Sequence, residues 1–371
     1  METLILDVSS SSIRRAAGVL RSGGLVAFPT ETVYGLGANA LDASAVARIF
    51  EAKERPFFDP LIVHVSDFDM AESVVTYFPP IARRLAERFW PGPLTIVLPR
   101  ADKVPSIVTS GLSTVGVRMP AHTVAREIIR AAGVPVAAPS ANLFGRLSPT
   151  KASHVIEQLD GRIGIVLDGG HTTVGVESTV VRVTDEEVVL LRPGGLAIED
   201  IESFLHMRLT KKTDFSAHNK ADAPDMPKSV STSTHGKNVS YFTCSKDVSS
   251  SDRERSASES PGELEWHYAP VVPLVLLEEL AFEKGSFPRE ALSPDAGVLA
   301  FRRVPEAACG VCRVLSTAGN MSEAAVRLFD ALHELENAGV SVIFAESVPE
   351  EGLGRAVMDR LRKAAARFKK T

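Results

Sequence analysis

Residues 23–65 read GGLVAFPTETVYGLGANALDASAVARIFEAKERPFFDPLIVHV, and the order of signals within them sets the expected fold. Leu25 to Phe28 is a short apolar run with strand character, ended by Pro29, which has no N–H to give a sheet ladder. Thr30, Glu31, Thr32 and Tyr34 then set hydroxyls and a carboxylate beside Gly35 and Gly37. That composition predicts a polar loop in which a backbone without Cβ lets a ligand approach closely. Asp42 is placed to cap a helix running to about Lys53, with Val46, Ile49 and Phe50 on one face. Arg55-Pro56 stops that helix, and Pro60 to Val65 reads as a second strand interrupted by His64. Taken singly, each feature has an ordinary explanation: cations suit a helix C-terminus, a histidine in an apolar strand is commonly a hydrogen-bonded core residue, and the loop could be a plain connection. The information lies in the whole string and its order.

Composition narrows the class. The chain has 371 residues, 44% hydrophobic and 23% charged, which is ordinary for a globular protein long enough for two domains. A net charge of −5 argues against a broad basic surface built to grip nucleic acid and leaves room for a locally basic cleft. METLILDVSSSS has no charged-then-apolar leader, and no apolar run approaches the roughly 18 residues of a membrane span, so no membrane association is expected and the cytoplasm is the expected compartment. Cys244, Cys309 and Cys312 are too few for a disulfide framework.

Along the chain, a first helix is expected over about Ser12 to Arg21, left through Gly23-Gly24. Strand and helix signals alternate from Pro80 to Leu191, and Arg118 sits inside the short strand Ser113 to Pro120. An arginine there needs a partner, an anion or an edge position facing water. Val134 to Ala138 runs straight into the polar turn Pro139-Ser140-Ala141-Asn142. From about Arg208 to Ser260, stretches such as SKDVSSSDRERSASES offer too little apolar surface to offset ordering entropy, and a mobile linker is expected. The pattern resumes with Ser260-Pro261-Gly262 and His267-Tyr268-Ala269-Pro270. Buried strands are expected at Leu274 to Leu277, Gly297 to Phe301 and Val340 to Phe344, with a helix entered at Asn320 and a final helix near Gly354 to Phe368.

The string Pro29 to Gly37 (PTETVYGLG), followed by Lys53-Glu54-Arg55-Pro56 and by Pro60 to His64 (PLIVH), resembles the YrdC-like threonylcarbamoyl-AMP synthases. The resemblance continues through Ser140 to Asn142, Ser178 to Val181 and Arg192 to Gly194. SPG-x4-HYAP and Glu351 to Ala356 resemble the second domain of the long, two-domain form. It implies an α/β protein: a YrdC-like twisted mixed sheet with helices over 1–207, a flexible linker over 208–270 ending in a site-covering HYAP segment, and a small Rossmann-like α/β domain over 271–371.

The implied reaction joins L-threonine, bicarbonate and ATP into L-threonylcarbamoyladenylate and releases pyrophosphate. Such a site must supply fixed cations and hydrogen-bond donors, exclude water from hydrolysable intermediates, and align a carbamate oxygen with the α-phosphate. By the resemblance, Thr32, His64, Arg118, the backbone at Ala138, and Ser178 form the threonine side. Arg55, Asp59, Thr114, Ser140, Asn142, Ser148, Arg192, His267 and Tyr268 form the ATP side. Lys53 lies near the phosphates and, with Arg55, supplies catalytic charge. No covalent nucleophile is implied, and magnesium would accompany the ATP. The family usually carries asparagine at the positions of Asp59 and Asp359. The threonylcarbamoyl group would pass to a tRNA adenosine through separate transferase proteins, with direct tRNA contact left open.

Other readings compete. Gly35-Leu36-Gly37-Ala38-Asn39-Ala40 fits a dinucleotide fingerprint, but six residues separate it from the strand it should follow directly. Cys309-Gly310-Val311-Cys312 has no second pair to complete a zinc site. The rival of a different class is a non-catalytic double-stranded-RNA-binding module, against which the acidic net charge counts.

Overall fold

The structure is a computed structural model that describes residues 2–211, 258–262, 267–280, 295–304 and 310–369. Most of the expected linker, with Cys244 and Cys309, lies outside the described residues. In chain order the first part contains β1 (Leu4–Asp7), α1 (Ser10–Arg21), β2 (Val26–Phe28), β3 (Gly35–Asn39), α2 (Ala43–Lys53), β4 (Ile62–His64), α3 (Phe68–Ser73), α4 (Pro80–Phe89), β5 (Leu94–Pro99) and β6 (Thr114–Arg118). It continues with α5 (Thr123–Ala132), β7 (Val136–Ala137), α6 (Ala152–Leu159), β8 (Ile165–Asp168), β9 (Thr179–Val183), β10 (Val188–Arg192), α7 (Ile198–Leu205) and β11 (Thr210–Lys211). These strands form one mixed sheet in the order β1-β8-β2-β3-β7-β4-β6-β5-β9-β10-β11.

Local chemistry accounts for the elements around the site. The Asp42 carboxylate accepts from the N–H groups of Ser44 and Ala45, so α2 begins where the cap was expected and ends at Lys53 with Glu54 in the left-handed region. α7 packs back on the first sheet's helices, with Phe204 set edge-on to Phe89 at 5.6 Å.

One expectation fails. Gly35 to Asn39 is not loop but strand, antiparallel to β2, with Val26 opposite Gly37 and Phe28 opposite Gly35. A Cβ at Gly37 would lie 2.6 Å from the Phe28 ring and 2.8 Å from Val136, so this glycine serves packing within the sheet and not ligand approach. The same strand removes the dinucleotide reading, which needs a turn leading into a helix at these residues.

The second part contains β12 (Leu274–Leu276), β13 (Ala296–Ala300), β14 (Val311–Val314), α8 (Met321–Asn337), β15 (Val342–Ala345) and α9 (Gly354–Ala366). Its four strands are all parallel, in the order β12-β15-β13-β14. Asn320 caps α8 by accepting from the Glu323 N–H; the Glu323 carboxylate turns to the Ser316 hydroxyl instead of completing a reciprocal box.

The two parts share an apolar cluster. Val33, Leu147 and Val176 of the first pack with Tyr268, Phe329 and Val357. Arg146–Glu336 and Lys151–Asp330, each at 2.9 Å, cross the same seam, as does the stack of His154 on His333 with centroids 3.7 Å apart.

Candidate functional site

Three strand ends build one wall of a pocket. β4 and β6 run parallel with His64 beside Arg118, while β7 lies antiparallel to β4 and the Ala138 N–H donates to the Ile62 carbonyl at 2.9 Å. His64 and Arg118 therefore sit side by side at the carboxyl ends of β4 and β6, while Ala138 joins the same pocket lining from opposite Ile62 at the start of β4. Because β6 lies between β4 and β5, Arg118 is interior, and the edge-charge explanation falls. Its Nη2 donates to Glu31 Oε1 at 2.7 Å, and Glu31 Oε2 accepts from the Ala121 N–H at 3.0 Å. Burial, aided by the Arg118 charge, pushes His64 down to about 3, so its imidazole is neutral. The loop from Pro29 to Tyr34 adds Thr32, whose hydroxyl bonds that of Thr30 at 2.8 Å, and Ser178 bonds Thr95 across β5 and β9 at 2.8 Å.

The rest of the lining adds more cations. Arg55 donates to the carbonyls of Asp59 and Pro60 at 3.1 and 2.8 Å and pairs with the Asp59 carboxylate at 2.9 Å. Asp59 is thus spent on Arg55 and lies outside the pocket lining, which answers how a carboxylate is tolerated there. Arg192 donates to the Ser178 carbonyl at 2.9 Å and to the Pro261 carbonyl at 2.8 Å, tying the returning chain to the first domain.

Tyr268 roofs the pocket in the left-handed region, with φ of 60°, an unusual conformation for a bulky residue. A Cβ at Gly262 would lie 2.3 Å from the Tyr268 hydroxyl, so the SPG turn needs its glycine to seat that phenol. Burial, with Glu177 nearby, pushes Tyr268 up to about 12 and keeps its hydroxyl protonated. His267 lies against Phe144 and Tyr268 and is held well below the ordinary histidine range by burial and then by Arg55 and Lys53.

Of the residues singled out in the sequence, Thr32, Arg55, His64, Arg118, Ala138, Ser140, Ser178, Arg192, His267 and Tyr268 line this one pocket. The other five stand behind or beside it. Lys53, held well below the lysine range by burial and the neighbouring Arg55, donates to the carbonyls of Ser140 and Asn142. Asn142 donates to Leu143 and Arg146, Ser148 donates to Glu177, and Asp59 faces Arg55. Thr114 borders a separate crevice with Ser260 and Pro261.

Sequence reasoning missed Glu177, which lines the pocket. Burial would raise its carboxyl, but Arg360, Arg192 and the Ser148 hydroxyl outweigh that and hold it low. Its place just before Ser178 was the available signal. The cavity is about 50 Å³, room for a few waters and not for a nucleotide. A larger hollow of about 610 Å³ lies between α7 and α9, and its cations Arg208, Arg355, Arg362 and Lys363 are each held by a carboxylate.

Comparison with known proteins decides the family. Residues 18–194 match the family model Sua5_yciO_yrdC, described as "Telomere recombination", and residues 198–366 match "Threonylcarbamoyl-AMP synthase, C-terminal domain". A Threonylcarbamoyl-AMP synthase of Pyrococcus abyssi is 42% identical, covering 98% of each chain. The chain belongs to the threonylcarbamoyl-AMP synthase family. A Threonylcarbamoyl-AMP synthase of Bacillus subtilis is 40% identical over 97% of this chain and 94% of its own. Among solved structures, P. abyssi Sua5 complexed with L-threonine superposes with a TM-score of 0.78 at 40% identity, covering 98% of each chain. Family membership bears out the two-part α/β architecture read from the sequence, a mixed sheet followed by a smaller parallel one.

Proposed function

We propose that this chain makes L-threonylcarbamoyladenylate from L-threonine, bicarbonate and ATP, for the N6-threonylcarbamoyladenosine modification of tRNA. The observation that carries the reading is the gathering of three arginines in the lining of one buried pocket, Arg118 next to His64, together with Arg55 and Arg192. Fixed cations concentrated in one buried site are what a carboxylate and a triphosphate held together require.

In this reading the threonine carboxylate meets the Arg118 guanidinium, which Glu31 already orients, while Thr32, Ser178 and the Ala138 backbone fix the rest of the amino acid. The amine, as free base, takes up the carbon of bicarbonate, loses water and becomes a carbamate. A carbamate oxygen then attacks the α-phosphate as pyrophosphate leaves, so the P–O bond formed replaces the one broken. Arg55 and Arg192 stabilise charge on the phosphates, and Lys53 works at one remove by locking the Ser140–Asn142 turn. Thr114, Ser148 and Asn142 likewise shape the ATP side through their neighbours. Magnesium bound with ATP would neutralise part of the phosphate charge. Asp59 and Glu177, the carboxylates nearest the ATP-side cations, are paired with Arg55 and Arg360, so it would be held through the ATP phosphates.

A cavity of about 50 Å³ is too small for ATP, so in this reading Gly262, His267 and Tyr268 move aside to admit it and close again, which shields the carbamate and the mixed anhydride from water. Transferase proteins that consume the adenylate are the proposed partners, with the reaction in the cytoplasm. Radiolabelled bicarbonate tests the chemistry: label should appear in a nucleotide product only when threonine and ATP are both present. Label retained without threonine would overturn the assignment.

A further inference from the structure

Arg360, on α9 of the C-terminal domain, is among the largest fully buried side chains of the protein, although an arginine is seldom buried unless its charge is met. Its partners are not chiefly those of its own domain. Nε donates to Glu177 Oε2 at 2.8 Å, and Nη1 donates to the Pro193 carbonyl at 3.0 Å. The guanidinium carbon stands 4.8 Å from the centre of the Tyr268 ring, within cation–π range. Only Asp359, whose Oδ2 accepts from Nη1 at 2.6 Å, belongs to α9, and it also accepts from Lys363 at 3.0 Å.

Three of these four contacts are to the pocket wall or to the residue next to it. Glu177 and Tyr268 both line the pocket, and Pro193 follows Arg192, which lines it too. Glu177 carries the effect one step further, because its second oxygen accepts from the Ser148 hydroxyl. Tyr268 is held in the left-handed region, a conformation that surrounding contacts must impose on a bulky residue. Gly262 leaves the space for its hydroxyl, and Arg360 lies against its ring. The same guanidinium thus fixes the roof residue and a wall carboxylate at once.

We propose that Arg360 is a positioning residue of the synthase pocket: it seats the Tyr268 ring and the Glu177 carboxylate on the nucleotide side, and so makes the C-terminal α/β domain a working part of the site. The proposal rests on the synthase reading above. It assigns Arg360 no contact with substrate. It predicts that damage at Arg360 is felt by ATP more than by threonine, whose wall at His64, Arg118 and Ala138 it does not touch.

The test uses the full chain and two variants, Arg360→Met, which keeps length and apolar bulk, and Arg360→Lys, which keeps charge but not the planar fork. Pyrophosphate release and threonylcarbamoyladenylate formation are measured against ATP and against threonine, beside the melting temperature. Arg360→Met should raise the KM for ATP by roughly tenfold or more and change that for threonine by less than about threefold, with Arg360→Lys between it and the parent. In a Tyr268→Leu background the same change should add less than about threefold, because residues that act through one contact are not additive. An unchanged KM for ATP, equal losses on both substrates, or full multiplication of effects in the double variant would each overturn the proposal. Failure of both Arg360 variants to fold would do so as well, since it would make the residue a structural one. An inactive parent chain would count against the synthase reading itself and is recognised before any variant is compared.

Discussion

Arg118 and Glu31 form a buried pair at 2.7 Å, with side chains 5% and 7% exposed, so the guanidinium is oriented before any substrate arrives. Arg118→Ala should abolish threonine-dependent turnover while sparing ATP binding. Truncating one partner of a buried charge pair at a binding site costs about 2–5 kcal/mol, or well over tenfold in the apparent affinity for threonine. Calorimetric titration with ATP checks the second half; loss of ATP binding in a well-folded variant would contradict the role. Most of the pocket-lining residues were legible in the sequence because they fall in a recognisable ordered string. Glu31 was seen only as a carboxylate in a loop, and its partner 87 positions away could not be read from local pattern. Glu177 and Arg360 were missed for the same reason: they meet 183 positions apart, and nothing in the periodicity of either segment points to the other.

At the scale of elements, the order of helices and strands followed from caps, prolines and periodicity. Asp42 begins α2, Pro80 begins α4, Gly133 ends α5, and Asn320 begins α8. β1, α3 and α7 had no expectation set for them, and β3 was read as something else. Its glycines and flanking polar residues have loop composition, and only the facing Phe28 explains why a strand there needs Gly37. Gly37→Val should therefore destabilise the protein by about 1–3 kcal/mol through overpacking against Phe28 and Val136. A shift of the urea midpoint to lower concentration checks this, and an unchanged midpoint would show that the strand has slack the geometry does not suggest.

The whole molecule joins a mixed sheet to a parallel one across a seam that contains titratable groups. His154 on α6 stacks on His333 on α8, with Asp330, Lys151 and Arg146 around them, and a His333 ring nitrogen lies 3.2 Å from the Ser148 carbonyl. Burial first, then the neighbouring His333 ring, pushes His154 down to about 2; burial pushes His333 to about 4. Both folded values lie below the ordinary histidine value of about 6.5, so the unfolded chain binds more protons between them. Stability should be full above about pH 6.5 and fall as pH drops toward the folded values, by up to about 1.4 kcal/mol per unit for each group. Melting temperatures from pH 7 to pH 5 should show that slope, and replacing both rings by phenylalanine should flatten it; an unchanged slope would place the acid sensitivity elsewhere. The alternation of elements in each half announced two α/β layers, but the seam between them, and with it the sharing of one pocket, arises from pairings far apart in the chain. The most direct measurement of the central claim is pyrophosphate release from magnesium-ATP by the full chain, with threonine and bicarbonate omitted in turn. The account predicts release that requires both and yields threonylcarbamoyladenylate. Release that ignores either substrate, or none from a folded protein supplied with both, would contradict it.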